Sequence, residues 1–154
     1  MKLLFKQRLF SWFDSYDIYH EDGSTAYVVR GELSWGHCLR IFSPDGRCLG
    51  LVKERMLTFL PKFELYEGER YLGEIRREFT LFKPWFVLDF NNWEVDGDWT
   101  GWDYSVVSGS RTVMQLSKEL WNFTDTYVMD IPNPSDALYC LMIVLAIDAD
   151  KCRH

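Results

Sequence analysis

Apolar and polar residues alternate in short runs along most of the chain, and Gly- or Pro-containing turns punctuate the runs. That period of two is the mark of strands with one buried face. Residues 16–19 and 27–30 are predicted strands joined through Glu21-Asp22-Gly23-Ser24. Residues 39–42 and 48–53 are joined through Ser43-Pro44-Asp45-Gly46, and residues 63–66 and 71–76 through Glu67-Gly68-Glu69. Asp-Gly and other Gly turns between apolar runs are hairpin signals. Further strands are predicted at 85–88, 93–95, 102–107, 112–116 and 126–129, and residues 3–5 and 9–10 suggest an N-terminal strand or short helix. The total is about eleven or twelve short strands, with no linker and no low-complexity run, so residues 1–154 read as one domain.

The alternation stops at residues 137–147, Ala-Leu-Tyr-Cys-Leu-Met-Ile-Val-Leu-Ala-Ile, which carry no charge. Asn133-Pro134-Ser135-Asp136 precedes them, with a capping Asn, a Pro suited to the first helical position and an acid in the first turn. These features predict a helix; Asp148 and Asp150 follow the apolar run, and Lys151 and Arg153 lie at the C-terminal end, where cations are favoured. A helix apolar on every side is buried in protein or in lipid. Eleven residues span roughly 16 Å, against about 30 Å of bilayer hydrocarbon, so protein is the expected surround. One flat sheet cannot wall in a helix on all sides, whereas a closed barrel or two facing sheets can.

A repeat of 23 residues runs through the hairpins. Leu49-Gly50-Leu51-Val52-Lys53 matches Leu72-Gly73-Glu74-Ile75-Arg76, and Leu57-Thr58-Phe59-Leu60-Pro61 matches Phe79-Thr80-Leu81-Phe82-Lys83-Pro84. Gly23 and Gly46 keep the same spacing, as do Val29, Val52 and Ile75. One hairpin with its connection is therefore reused, and a long meander of this kind favours closure because open edges aggregate.

Composition narrows the setting. The 7 Trp, 8 Tyr and 11 Phe suit a strand-rich core. A net charge of −6 argues against nucleic acid as a partner and requires any anion site to be a local basic patch. Cys38, Cys48, Cys140 and Cys152 form no Cys-x-x-Cys pair, and residues 1–6 do not resemble a secretory signal. Reduced thiols in a cytoplasmic protein are expected, with no membrane-spanning segment and with Asn122-Phe123-Thr124 as a chance sequon.

The chain resembles the tubby C-terminal-like superfamily and, within it, short bacterial members of the LURP-one-related (LOR) family. The matching segments are Leu3-Leu4-Phe5-Lys6-Gln7, Ser11-Trp12-Phe13-Asp14, Trp35-Gly36-His37-Cys38-Leu39, Leu57-Thr58-Phe59-Leu60-Pro61-Lys62-Phe63-Glu64 and Glu78-Phe79-Thr80-Leu81-Phe82-Lys83-Pro84. The resemblance implies an all-β fold with one helix: a closed, roughly twelve-stranded antiparallel barrel around a buried hydrophobic C-terminal helix. It implies little about activity. The tubby and phospholipid scramblase relatives point towards membranes, through phosphoinositide binding or lipid movement.

The repeat supplies the best candidate site. Arg30, Lys53 and Arg76 fall at equivalent places in three hairpins, with Arg55 and Arg77 nearby. On neighbouring strands they would form a row of like charges, which costs stability and asks for a reason. Such a row suits a phosphate or an anionic phospholipid headgroup. The plainer account is a solvated face of cross-strand ion pairs with Glu32, Glu54, Glu74 and Glu78.

Other constellations carry less. The acidic stretch 93–103 lacks the spacing of a Ca²⁺ loop, so no metal or other cofactor is expected. His37 and Cys38, adjacent on a strand, point to opposite faces and make a poor catalytic pair. Lys2, Lys6 and Arg8 interleaved with Leu3, Leu4, Phe5, Leu9 and Phe10 suit a first strand better than a membrane-surface helix. The expectation is a non-enzymatic binding module for anionic phospholipid headgroups, peripheral at the inner surface of the cytoplasmic membrane. A protein-interaction or regulatory scaffold with a protein partner is the first alternative, and an enzyme the second.

Overall fold

A computed structural model describes residues 1–6, 15–34, 36–55, 58–79, 84–121 and 124–151. The expectations at Arg8 to Phe10, Trp12 and Phe13, Trp35, Leu57, Thr80 to Lys83, the sequon at Asn122, Cys152 and Arg153 fall outside these residues. The strands are β1 (Lys2–Lys6), β2 (Ser15–His20), β3 (Thr25–Ser34), β4 (Gly36–Phe42), β5 (Cys48–Glu54) and β6 (Lys62–Glu67). They continue as β7 (Arg70–Phe79), β8 (Pro84–Leu88), β9 (Glu94–Asp98), β10 (Asp103–Ser108), β11 (Arg111–Trp121) and β12 (Thr124–Asp130), before a helix α1 (Ala137–Lys151).

One sheet holds all twelve strands in the order β8-β7-β6-β5-β4-β3-β2-β1-β12-β11-β10-β9. Each pairing is antiparallel, and β1 joins β12 through Lys2↔Asp130 to Lys6↔Thr126. Among the described residues only the seam between β8 and β9 lacks a ladder, so the barrel is nearly closed. Side chains pack across that seam, with Phe86 edge-on to Trp99 at 4.9 Å between ring centroids.

The Asp-Gly turns act as read. Gly46 N–H donates to Ser43 O at 2.9 Å and Gly23 N–H to His20 O at 3.0 Å, and both glycines have positive φ. The register shifts beside each of these turns, between Ile41 and Phe42 and between Ile18 and Tyr19. This is the turn-plus-bulge geometry that adds twist to a hairpin.

Val29, Leu39, Ile41, Val52, Phe63, Leu65 and Ile75 point inward and are fully buried. They meet α1, where twelve of fifteen residues are buried. Helix and wall come closest at β5, because Gly50 has no side chain: a Cβ there would overlap the Met142 methyl group and lie 2.9 Å from Tyr66 O. The predicted helix start is a 3₁₀ turn, Pro134–Asp136, with Asn133 Oδ1 accepting from Ser135 N at 3.2 Å.

The helix runs beyond the apolar stretch to Lys151, a cation in its last turn as expected. Asp148 and Asp150 lie inside it and are buried. Carboxylates near a helix C-terminus oppose the dipole, so tertiary partners must compensate. Arg77 Nη1 reaches Asp150 Oδ2 at 3.5 Å, and Lys151 Nζ donates to Trp99 O at 3.0 Å and Thr100 O at 2.8 Å. Lys151 also stands 3.7 Å from the Trp102 ring centroid. Cys38, Cys48 and Cys140 are free thiols. Among the described residues no helix is long and apolar enough to cross a membrane.

Candidate functional site

Strand alternation places Arg30 on β3, Lys53 on β5 and Arg76 on β7, each next to an inward residue (Val29, Val52, Ile75) and so on the outer face. They do not stand on neighbouring strands. The repeat unit is two strands wide, so equivalent positions lie roughly 10 Å apart with another strand between. The stagger of the barrel separates them further. Arg30 faces Arg40, which faces Leu51, two residues before Lys53; Lys53 faces Glu64, which faces Glu74, two before Arg76.

A contiguous row exists one step away, with a different centre. Lys62 opens β6 directly opposite Arg76 on β7, and Arg55 N–H donates to Lys62 O at 2.9 Å from the end of β5. Arg55, Lys62 and Arg76 thus stand side by side across three adjacent strands. Period-23 reasoning missed Lys62 because it compares only the second strand of each hairpin.

The two arginines of this row are held by acids. Arg55 lies 3.6 Å from Glu64 and 3.8 Å from Glu74, and Arg76 lies 3.5 Å from Glu74 and 3.0 Å from Glu78. Glu64 and Glu74 face each other directly, so the arginines also offset that repulsion. Tyr66 donates to Glu64 at 2.6 Å, and this bond is the main cause of a phenol pKa pushed up to about 12. Lys53 and Lys62 make no ion pair among the described residues. Of the four cations they are the ones most readily offered to an external anion. Arg30 lies apart, its guanidinium 5.0 Å from the Phe42 ring centroid, while neighbouring Arg40 pairs with Glu32 at 2.8 Å.

Arg77 is placed differently from its sequence neighbour. Strand alternation turns it inward, where its side chain is 12% exposed and pairs with Asp150. It is therefore part of the helix anchorage and does not reach the outer row. Phe59 is the second residue that sequence reasoning missed. It sits in the connection between β5 and β6 and is 99% exposed. An apolar residue between strands reads as core from sequence, and only the folded loop shows that it faces outward.

Two other acids have structural explanations. Asp98 accepts from Thr100 Oγ1 at 2.6 Å and Gly101 N at 3.0 Å, and these bonds hold its carboxyl below the usual range. It caps a turn. Asp148 faces a cavity of about 10 Å³ shared with Phe5, Tyr16, Ile18, Leu141, Val144 and Leu145, room for about one water. Burial pushes its carboxyl up to about 7, against the pull of Lys151. An unfolded Asp titrates near about 3.9, so the folded chain holds this proton more tightly. The resulting stabilisation is present below that value and is lost as pH rises through about 7. Asp148→Asn is therefore expected to gain about 2 kcal/mol more over the parent protein at about pH 8 than at about pH 5. Urea unfolding at the two pH values checks this; equal gains at both would mean that Asp148 is ionised throughout.

A family model described as LURP-one-related matches residues 1–148. The chain is 30% identical over 149 residues to the uncharacterized protein YxjI of Bacillus subtilis, an alignment covering 96% of this chain and 92% of that one. An X-ray structure of an Arabidopsis thaliana protein superposes with a TM-score of 0.66 at 16% identity, covering 96% of this chain and 90% of the other. At that identity the likeness speaks for the fold alone.

Proposed function

The chain belongs to the LURP-one-related family, and on that footing we propose that it is a non-enzymatic module that binds the anionic headgroup of an acidic phospholipid at the inner surface of the cytoplasmic membrane. The observation that carries this reading is the row Arg55–Lys62–Arg76, with Lys53 beside it. Like charges directly opposite one another on a sheet are destabilising, and a phosphate bound among them removes the repulsion. Lys53 and Lys62 supply the first contacts. Arg55 and Arg76 can exchange part of their glutamate contacts for phosphate oxygens, which they meet in bidentate geometry. The buried carboxyl of Asp148 has the raised pKa often seen in catalytic acids, but its one-water cavity leaves no room for a substrate.

Because glutamates partly neutralise the site and the whole chain carries −6, the affinity is expected to be modest and strongly dependent on salt. Lys53→Gln combined with Lys62→Gln is expected to lower binding to phosphatidylglycerol-containing vesicles at least about tenfold, since each cation near an anionic surface contributes about 1 kcal/mol. Both side chains are outside the core, so the thermal midpoint should hardly move. Co-sedimentation at low and physiological salt reads the result. Binding that ignores salt and both lysines would overturn the headgroup reading and favour an apolar protein interface.

A further inference from the structure

We infer that Phe59 is a wedge that enters the headgroup layer of an anionic membrane while the Arg55–Lys62–Arg76 row engages the phosphates; this rests on the headgroup reading above. Phe59 is 99% exposed, whereas Pro61 is buried and Thr58 and Leu60 are half-buried. The tip is therefore carried on a packed base. Two main-chain bonds close that base: Arg55 N–H to Lys62 O at 2.9 Å, and Arg77 N–H to Pro61 O at 3.3 Å. The same base presents the cations.

Reach is adequate. Phe59 and Lys62 are three positions apart in the chain, so their Cα atoms are at most roughly 11 Å apart. The interfacial layer on each side of a bilayer is roughly 5–8 Å thick. Flexible lysine and arginine side chains can keep their charges at the phosphate level while the ring sits deeper. A membrane suits this tip better than a protein partner. A protein would need a shaped pocket and about 1,000 Å² of buried surface around it, whereas lipid accepts a lone protruding ring without a matched shape. The charge pattern agrees, because a weak cation patch on a net-negative protein needs a second, apolar signal to hold a membrane.

The test uses the full chain and vesicles of phosphatidylcholine with and without phosphatidylglycerol. Phe59→Ser is expected to weaken binding to the anionic vesicles roughly tenfold or more, the effect of withdrawing one buried phenyl group. Its thermal midpoint should match the parent protein, and Phe59→Trp should keep or tighten binding. If Phe59→Ser binds as the parent does while the Lys53/Lys62 double variant does not, the wedge is overturned and the headgroup reading stands. If the parent protein does not distinguish anionic from neutral vesicles, both are overturned.

Discussion

Val144→Asp is expected to leave no cooperatively folded protein. Val144 is 1% exposed and lies in the middle of α1, with barrel wall around the helix. An unpaired carboxylate in such a place costs several kcal/mol after relaxation, comparable with the roughly 5–15 kcal/mol that holds a domain together. The neighbourhood makes it worse. Val144 and Asp148 are four residues apart on one helix face and line the same small cavity, so the new carboxyl would meet one already buried. Val144→Ala is the control for lost packing and should cost roughly 2 kcal/mol while still melting cooperatively. Circular dichroism and thermal melts of the two variants decide it. A Val144→Asp protein that stays soluble and melts in one sharp transition would mean that the helix is not enclosed.

Arg77→Met is the other large effect. Its guanidinium pairs with Asp150 in the last turn of α1, where the aspartate is 0% exposed. Removing one partner of a buried pair typically costs about 3–5 kcal/mol, because the remaining charge stays desolvated. Replacing both partners with apolar groups is much less costly, so Arg77→Met with Asp150→Leu should recover most of the loss. Urea unfolding of the two variants measures it. The pair also separates two roles for Arg77. A ligand contact on the surface would leave stability within about 0.5 kcal/mol and would show no rescue.

Much of the architecture was legible from the chain. Strand alternation and the Gly-containing turns read correctly from β2 to β7 because each hairpin is a local object. Its turn residues fix the register, and a one-residue slip would turn Val29, Val52 or Ile75 to solvent. The helix was legible because eleven uncharged residues leave no polar face, and its length was too short for a bilayer. Closure followed from the need to surround it. The seam at β8 and β9 was not legible, since it depends on which edges come round to meet each other.

The candidate site was only half legible. That Arg30, Lys53 and Arg76 face outward follows from alternation alone. Their separation does not, because barrel stagger and the strands between them are set by the whole sheet. Lys62 joins Arg55 and Arg76 only through pairing between chain segments. Arg76 and Arg77 look alike in sequence, yet one lies outside among glutamates and the other inside against Asp150. Asp148 and Asp150 follow the apolar run, where carboxylates prefer water, and their burial is not legible in the sequence. The barrel overrides that local preference by bringing Arg77 from β7, and Lys151 anchors the last turn to the Trp99 and Thr100 carbonyls. The sequence by itself determined the elements, their faces and the need for an enclosing wall, since these depend on neighbours along the chain. Only the tertiary structure decided which cations meet, which carboxylates are buried and that Phe59 stands free, since these depend on neighbours in space.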